Sequence, residues 1–378
     1  MGRVDFMKFL LVSGIYFPDI GGPATYIPRI AHALIAEGHT VTTLSLTDDV
    51  NRNLPEEPWS RIFVSRTLLK PIRFLKTLQI IFNSRPSTEG IYSNGLYEEC
   101  GVASLFGARP LVAKIVGDPI WERFRNSQVS TISIGEFQSK KLSLLFKVQR
   151  MFLVWSLNRF RLITTPSGEL ARFIRDWGVK SPIEVIPNGI NCHLTQKKNS
   201  DDSVVSVSRL VSWKNIDLLI EACADTNLTL KVIGEGPERV RLEATAKEFG
   251  ADVKFLGELD SGGVVQVLSE SGIFALISDY EGLSFALLEA MMVGIPVVVS
   301  SNAGNTQVIQ NEVNGLVVSI GNLDQTKQAL SRLISDNHLK ESLSKNAKAL
   351  AMDKYCEEKQ ISQMINALKS QVRYPKNV

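Results

Sequence analysis

One stretch narrows the folds open to this chain more than any other. Residues 273–277, Ile-Phe-Ala-Leu-Ile, are an apolar run short enough for a buried strand. Ser278-Asp279-Tyr280-Glu281-Gly282-Leu283 follows as a loop, and a helix begins near Ser284. Gly294-Ile295-Pro296 then turns into a second apolar run, Val297-Val298-Val299. Buried strands alternating with helices belong to α/β folds. Ser284 suits an N-cap, because its hydroxyl can accept from a first-turn amide. The other free amides and the positive helix end suit an anionic or oxygen-rich ligand. Glu281 sits in the loop, and Glu289 lies eight residues on, about one and a half turns inside the helix. Two such acceptors could grip both ends of one polyhydroxylated ligand. Two solvated glutamates beside a plain turn have the same spacing.

The same alternation opens the chain. Residues 6–13 read as a strand, 24–37 as a helix with Ile27, Ile30, Ala31, Leu34 and Ile35 on one face, and 39–46 as strand two. Gly21-Gly22, before the helix, lets a ligand approach the backbone, although a loop glycine pair is the plainer reading. There is no G-x-G-x-x-G after the strand, so a dinucleotide fingerprint is absent. Further strands are expected at 111–116, 161–165, 183–186, 204–207, 228–233 and 253–257, with helical patterns over 323–335, 338–351 and 354–370. Ser167 is expected to cap a helix reaching Trp177, and polar residues 196–202 read as a linker.

Several classes are excluded. At 378 residues two domains are expected. No apolar run reaches the roughly 18 residues that span a bilayer. The start, Met1-Gly2-Arg3-Val4-Asp5-Phe6, fits neither a signal peptide nor the myristoylation pattern. Cys100, Cys192, Cys223 and Cys356 are far apart with no C-x-x-C, which reads as free cytosolic thiols. The four His have no zinc-ligand spacing. Gly282-Leu283-Ser284-Phe285-Ala286 lacks the closing Gly of a nucleophile elbow, against a hydrolase serine.

Charge is uneven. Over residues 1–180, 23 Lys and Arg stand against 15 Asp and Glu, a net of +8; the remainder is −5. Two windows contain no acid at all. Residues 58–88 carry Arg61, Arg66, Lys70, Arg73, Lys76 and Arg85 among apolar residues. Residues 137–168 carry Lys140, Lys141, Lys147, Arg150, Arg159 and Arg161. Each window could be an amphipathic helix lying on an anionic membrane, or a core-packing helix with solvated cations.

Arg209 and Lys214 flank another strand-to-helix loop, Ser208-Arg209-Leu210-Val211-Ser212-Trp213-Lys214-Asn215. Two cations aimed at one point suit a diphosphate; two surface cations are the plainer alternative. Gly234-Glu235-Gly236-Pro237 is a tight turn into a helix, and Arg239 stands where a dinucleotide motif needs its third Gly.

Taken together, the stretch at 277–290 resembles the E-x7-E segment of the retaining GT-B glycosyltransferases of glycosyltransferase family 4. The order Gly21-Gly22, Gly117-Asp118, Pro187-Asn188-Gly189, Arg209…Lys214, Gly234-x-Gly236-Pro237, Glu281…Glu289 and Asn314-Gly315 extends the resemblance over nearly the whole chain. It implies that Glu281 contacts the donor sugar, that the backbone of Gly282, Leu283, Ser284 and Phe285 holds sugar hydroxyls, and that Glu289 holds the ribose. It implies that Arg209 and Lys214 hold the donor diphosphate, that Gly234 and Gly236 border the base, and that Gly21 and Gly22 face donor phosphate and acceptor. The family usually has an aromatic at the Leu283 position and Gly at Ser284. Many members carry a His in the turn where Gly117-Asp118 stands. Asp118 is then the candidate for orienting donor sugar or acceptor hydroxyl, an Asx turn being the other reading.

The implied fold is α/β GT-B, two Rossmann-like domains facing across a cleft. An acceptor-binding domain would span 1–187 and a nucleotide-sugar-binding domain 188–378, with the last helix commonly crossing back to the first. The implied activity is transfer of a sugar, with retention, from a UDP- or GDP-linked donor to a saccharide or lipid-linked saccharide in envelope polysaccharide synthesis. Asp118, Arg209, Lys214 and Glu281 would form the catalytic set, with no metal and no cofactor. The expected location is cytoplasmic, at the inner face of the plasma membrane, and no nucleic-acid partner is expected. A GT-B phosphorylase would instead depend on inorganic phosphate. A nucleotide-sugar epimerase would form product without acceptor. A non-catalytic two-lobed binding protein would want a secretion signal.

Overall fold

A computed structural model describes residues 6–17, 19, 22–50, 54–128, 132, 134–193 and 201–373. These fall into two units. Unit 1 takes the chain up to Phe124, Lys140–Ile186 and the chain from Gln360; unit 2 takes Arg125–Ser139 and Pro187–Lys359.

In chain order the first half runs β1 (Lys8–Ser13), α1 (Gly22–Ala36), β2 (Thr40–Thr47), β3 (Ser60–Ser65), α2 (Lys70–Ser84), β4 (Gly90–Asn94), α3 (Tyr97–Ser104), β5 (Pro110–Lys114) and α4 (Pro119–Gln128). It continues with α5 (Ile134–Ser139), α6 (Leu144–Leu157), β6 (Leu162–Thr165), α7 (Gly168–Asp176) and β7 (Ile183–Val185). Strands β1 to β7 form one parallel sheet in the order β3-β2-β1-β4-β5-β6-β7. The strands β4, β5 and β6 are buried along their whole length. Helices on both faces of a parallel sheet leave no wet side, so these strands read as continuous apolar runs.

The second half runs β8 (Val204–Val207), α8 (Ile216–Thr226), β9 (Leu230–Ile233), α9 (Arg239–Glu248), β10 (Val253–Gly257), α10 (Ser261–Glu270) and β11 (Ile273–Leu276). Then come α11 (Phe285–Val293), β12 (Val297–Ser300), α12 (Ala303–Thr306), β13 (Leu316–Val318), α13 (Leu323–Ser335), α14 (Asn337–Lys354) and α15 (Glu357–Arg373). Its parallel sheet has the order β10-β9-β8-β11-β12-β13. Val205 pairs with Phe274, and Ala275 with Val298. One face is covered by α10, α11 and α14 through Leu268, Leu287, Leu288, Met291 and Ala347. The other is covered by α8, α9 and α13 through Leu219, Ile220, Leu242 and Leu330.

Both strand orders reverse once, between β1 and β4 and between β8 and β11. At such a switch point the loops beyond the strand C-termini diverge and leave a crevice, the usual ligand position of these folds. From Gln360, α15 groups with unit 1, where Lys369 pairs with Glu37 at 2.6 Å.

Some sequence expectations need correction. Window 58–88 holds a strand, β3, before its helix, because Ile62 and Val64 complete the sheet edge beside Leu44 and Leu46. Window 137–168 ends in β6, where a strand was expected at 161–165. Cys192 and Cys356 are joined in a disulfide, with Cα atoms 5.5 Å apart, whereas Cys100 and Cys223 are free and buried. A backbone bridge explains the pairing: the Ile190 amide donates to Tyr355 O at 2.9 Å, and the Glu357 amide to Ile190 O at 2.8 Å. That contact brings together residues 164 positions apart, which linear spacing does not reveal. The expected linker lies outside the described residues as far as position 200.

Candidate functional site

The switch point of unit 2 sets two loops side by side, 208–215 after β8 and 277–284 after β11. The first turns through a 3-10 segment, Ser212–Lys214, and leaves it at Asn215 in the left-handed conformation (φ 50°). Asn tolerates that region better than most residues because its short amide bonds locally. Here Asn215 Nδ2 donates to Ile277 O at 3.0 Å and to Asp279 Oδ1 at 2.7 Å. The Asp279 amide returns a bond to Trp213 O at 2.9 Å. The loops are therefore tied backbone to side chain on both sides of Lys214.

Lys214 Nζ pairs with Glu281 Oε1 at 2.5 Å. Ser278 Oγ donates to the same oxygen at 2.7 Å. Both members of the ion pair are largely buried, where the lower effective dielectric makes the attraction stronger than at the surface. Arg209, five positions before Lys214, is exposed, and the described residues give it no ion pair.

The loop carrying Glu281 is held from behind. Gln307 Nε2 donates to Gly282 O at 3.1 Å, and Asn188 Nδ2 to Leu283 O at 2.8 Å. Asn302 Nδ2 donates to Ser278 O at 2.9 Å. Gly304 lies flat against Glu281: a Cβ at that position would come 1.9 Å from Glu281 O. Leu283 is buried in the core. Ser284 caps α11, its Oγ accepting from the Leu287 amide at 3.3 Å. Glu289 is half-buried on α11, in the second turn beyond that cap.

Arg125 adds a cation that no local pattern places here. Its side chain is only 2 % exposed, and Nη1 meets Asp279 Oδ2 at 3.0 Å. The Arg125 guanidinium also lies 5.5 Å from the Trp213 ring, within cation–π range.

Gly234 and Gly236 pack on the Arg209 loop. Cβ atoms there would stand 2.0 Å from Ser208 O and 2.2 Å from Leu210 O, and the Leu210 amide donates to Glu235 O at 2.9 Å. Close backbone approach is what their missing side chains permit.

Two further expected residues, Asp118 and Gly22, belong to unit 1. Asp118 is 0 % exposed. Its Oδ1 accepts the Ile120 and Trp121 amides at 2.9 and 3.2 Å, and its Oδ2 accepts Arg150 Nη2 at 2.7 Å. The carboxylate starts helix α4 and pairs with a largely buried guanidinium, which is the Asx-type arrangement of the second reading. Gly22 is the first residue of α1, and Gly21 lies outside the described residues.

Sequence reading missed Ser278, Asn302, Gly304 and Gln307. One signal was present: Ser300-Ser301-Asn302-Ala303-Gly304-Asn305 is a polar, glycine-bearing run directly after a buried strand. Such a run at a strand C-terminus marks a place where the backbone is bonded by side chains.

Among the described residues no group of three or more His, Cys, Asp or Glu is arranged to hold a metal ion. The arrangement pairs a carboxylate with a cation at one end of a capped helix, with a second cation free nearby. Chemically it can orient hydroxyls and stabilise a polyanion.

Residues 194–350 match the model of glycosyl transferases group 1, and residues 129–194 that of glycosyltransferase family 4. Over 194 residues the chain is 28% identical to a GDP-mannose-dependent monoacylated alpha-(1-6)-phosphatidylinositol monomannoside mannosyltransferase of Corynebacterium glutamicum, covering 44% of this chain and 51% of that one. It is also 28% identical over 200 residues to a lipopolysaccharide core biosynthesis glycosyltransferase of Rhizobium meliloti, covering 50% and 58%. The chain thus spans about half the length of the curated relatives it matches. Anabaena HepE, solved with UDP and glucose, superposes with a TM-score of 0.78 at 20% identity, over 96% of this chain and 100% of that one. That likeness, with the two parallel sheets, shows the GT-B fold.

Proposed function

We propose, for a chain that belongs to the group 1 glycosyl transferases, that it moves a sugar from a nucleoside diphosphate donor to a saccharide or lipid-linked saccharide acceptor, with retention at the anomeric carbon. The observation that carries this reading is the Lys214–Glu281 pair at 2.5 Å beside the capped start of α11, with Arg209 open nearby. A donor sugar on Glu281 and a diphosphate on Lys214 and Arg209 would place the scissile bond between the two charges.

In this reading Glu281 orients the sugar, the backbone of Gly282, Leu283, Ser284 and Phe285 holds its hydroxyls, and Glu289 takes the ribose. Gly234 and Gly236 set the wall on which the base lies. The acceptor oxygen attacks the anomeric carbon from the face that the diphosphate leaves. The carbon–oxygen bond to the diphosphate breaks, and the acceptor proton passes to a leaving phosphate oxygen. Lys214, Arg209 and the α11 N-terminus stabilise the charge growing on that group, so the reaction needs no metal.

The acceptor class is supported by two relatives, one a phosphatidylinositol monomannoside mannosyltransferase and one a lipopolysaccharide core biosynthesis glycosyltransferase. Envelope polysaccharide assembly on the cytoplasmic side of the membrane is part of the same proposal. The test is a thermal shift of the purified chain with UDP, GDP, ADP, NAD and phosphate, each with EDTA or Mg²⁺. A ligand at about 100 times its Kd adds roughly 2.7 kcal/mol. Stabilisation by one nucleoside diphosphate in EDTA supports the reading and fixes the donor class. Stabilisation by none, or by NAD alone, overturns it.

A further inference from the structure

Helix α6 has two apolar faces, and the described residues cover one of them. At about 100° per residue, Phe146, Leu153, Ser156 and Leu157 share one side, and all four are buried. Leu144, Leu145, Val148, Met151 and Phe152 fall within an arc of about 120° on the other side, and all five are exposed, Leu144 at 80% and Met151 at 70%. A helix that is apolar all round normally belongs in an interior. An exposed apolar stripe of this size marks an interaction surface.

The surroundings say what covers it. Lys140, Lys141 and Lys147 are exposed beside the stripe, and residues 137–168 contain no Asp or Glu. Phe152 stacks on Trp155 at 5.8 Å, and Arg159 lies 4.8 Å from the Trp155 ring. Rings with one apolar end and a cationic neighbour suit the boundary between headgroups and acyl chains. Helix α2 repeats the pattern in the same unit, with Leu69, Ile72 and Leu75 exposed beside Lys70 and Lys76. A second copy of the chain would fit badly, because a twofold contact through α6 would set these lysines against their own copies.

We propose that α6 docks unit 1 on an anionic lipid surface, the apolar stripe entering the headgroup–acyl boundary and the three lysines meeting lipid phosphates. On the covered side of the same helix Arg150 bonds Asp118, just past the C-terminal end of β5. The stripe and Asp118 thus lie on different sides of one helix, about 10 Å thick. The proposal does not depend on the transferase reading, since lipid binding is read without any substrate.

The test is flotation of the full chain with phosphatidylcholine vesicles, with and without phosphatidylglycerol, at low and high salt. The wild type is expected to float with the anionic vesicles at low salt and to be released by salt. Lys140→Gln with Lys141→Gln should weaken binding about fivefold per lost cation. Val148→Glu with Met151→Glu should abolish it while the far-ultraviolet circular dichroism and Tm stay near wild type, because both positions are exposed. Failure of the wild type to float on anionic vesicles at low salt overturns the proposal. So does binding that survives Val148→Glu with Met151→Glu, or a dimer that this pair dissolves in a chain that never binds vesicles.

Discussion

Lys214 and Glu281 stand 67 residues apart in the chain and meet at 2.5 Å across the switch point of one sheet. Each is the other's partner. If Lys214 moves to a diphosphate in the proposed reaction, Ser278 remains on Glu281 Oε1 at 2.7 Å. Lys214→Ala should lower kcat on the order of 10²-fold or more and weaken nucleoside diphosphate binding. An unchanged rate in a donor-hydrolysis or transfer assay removes Lys214 from the mechanism.

Gly304 tests the loop that carries Glu281. An added methyl would stand 1.9 Å from Glu281 O, so the backbone has to move. Overpacking of this kind costs about 1–3 kcal/mol. Gly304→Ala should lower Tm and raise the nucleoside diphosphate Kd, although residue 304 is not among the proposed ligand contacts. Calorimetric titration with the nucleoside diphosphate that stabilises the wild type checks it; an unchanged Kd means the loop absorbs the methyl elsewhere.

Arg125 and Asp279 form a buried pair at 3.0 Å. Removing one member of such a pair costs about 3–5 kcal/mol, because the other charge is stranded. Arg125→Met alone should destabilise by roughly that amount. Arg125→Met combined with Asp279→Asn should cost less than the two single changes added together. Thermal unfolding of the four proteins in the cycle measures the coupling, and strict additivity would show that the pair contributes nothing as a pair.

Lys114 supplies a pH dependence. It is 1 % exposed, its Nζ has no hydrogen-bond partner among the described residues, and it lies 3.5 Å from the centre of the Tyr26 ring. Burial pushes its pKa down from 10.5 to about 7. Between about pH 7 and 10.5 the unfolded chain therefore holds a proton that the folded chain does not, and stability rises with pH across that window. The slope from this one group is about 1.4 kcal/mol per pH unit. Lys114→Met should remove that rise and leave the protein at least as stable at pH 7. Tm profiles from pH 7 to the edge of alkaline denaturation compare the two; parallel profiles would mean that Lys114 stays charged.

The disulfide between Cys192 and Cys356 predicts a thiol count. Unfolded without reductant, the chain should expose two reactive thiols, Cys100 and Cys223; four would show the pair reduced. Closing a loop of 164 positions should add about 2–5 kcal/mol to stability, lost on reduction or in Cys192→Ser.

Most strands were legible from the sequence alone, β3 and β4 excepted, since parallel strands buried on two faces must be written as short apolar runs between amphipathic ones. The sequence also marked Glu281, Ser284, Arg209 and Lys214, because a glycine-bearing loop between such a run and a helix leaves only a few polar positions to carry chemistry. The cap on Ser284 was legible as a local rule, one hydroxyl and one amide three residues on. Tertiary structure decided which distant residues stand behind these. Arg125 reaches Asp279 from 154 positions away, Gln307 and Asn188 take the carbonyls of Gly282 and Leu283, and Cys192 finds Cys356. It also turned Asp118 inward, where Arg150 and two helix amides occupy its carboxylate. The physical reason is range. Periodicity and capping act over a turn or a strand, whereas partner choice for a buried polar group is set by whatever the folded chain brings within about 3 Å of it.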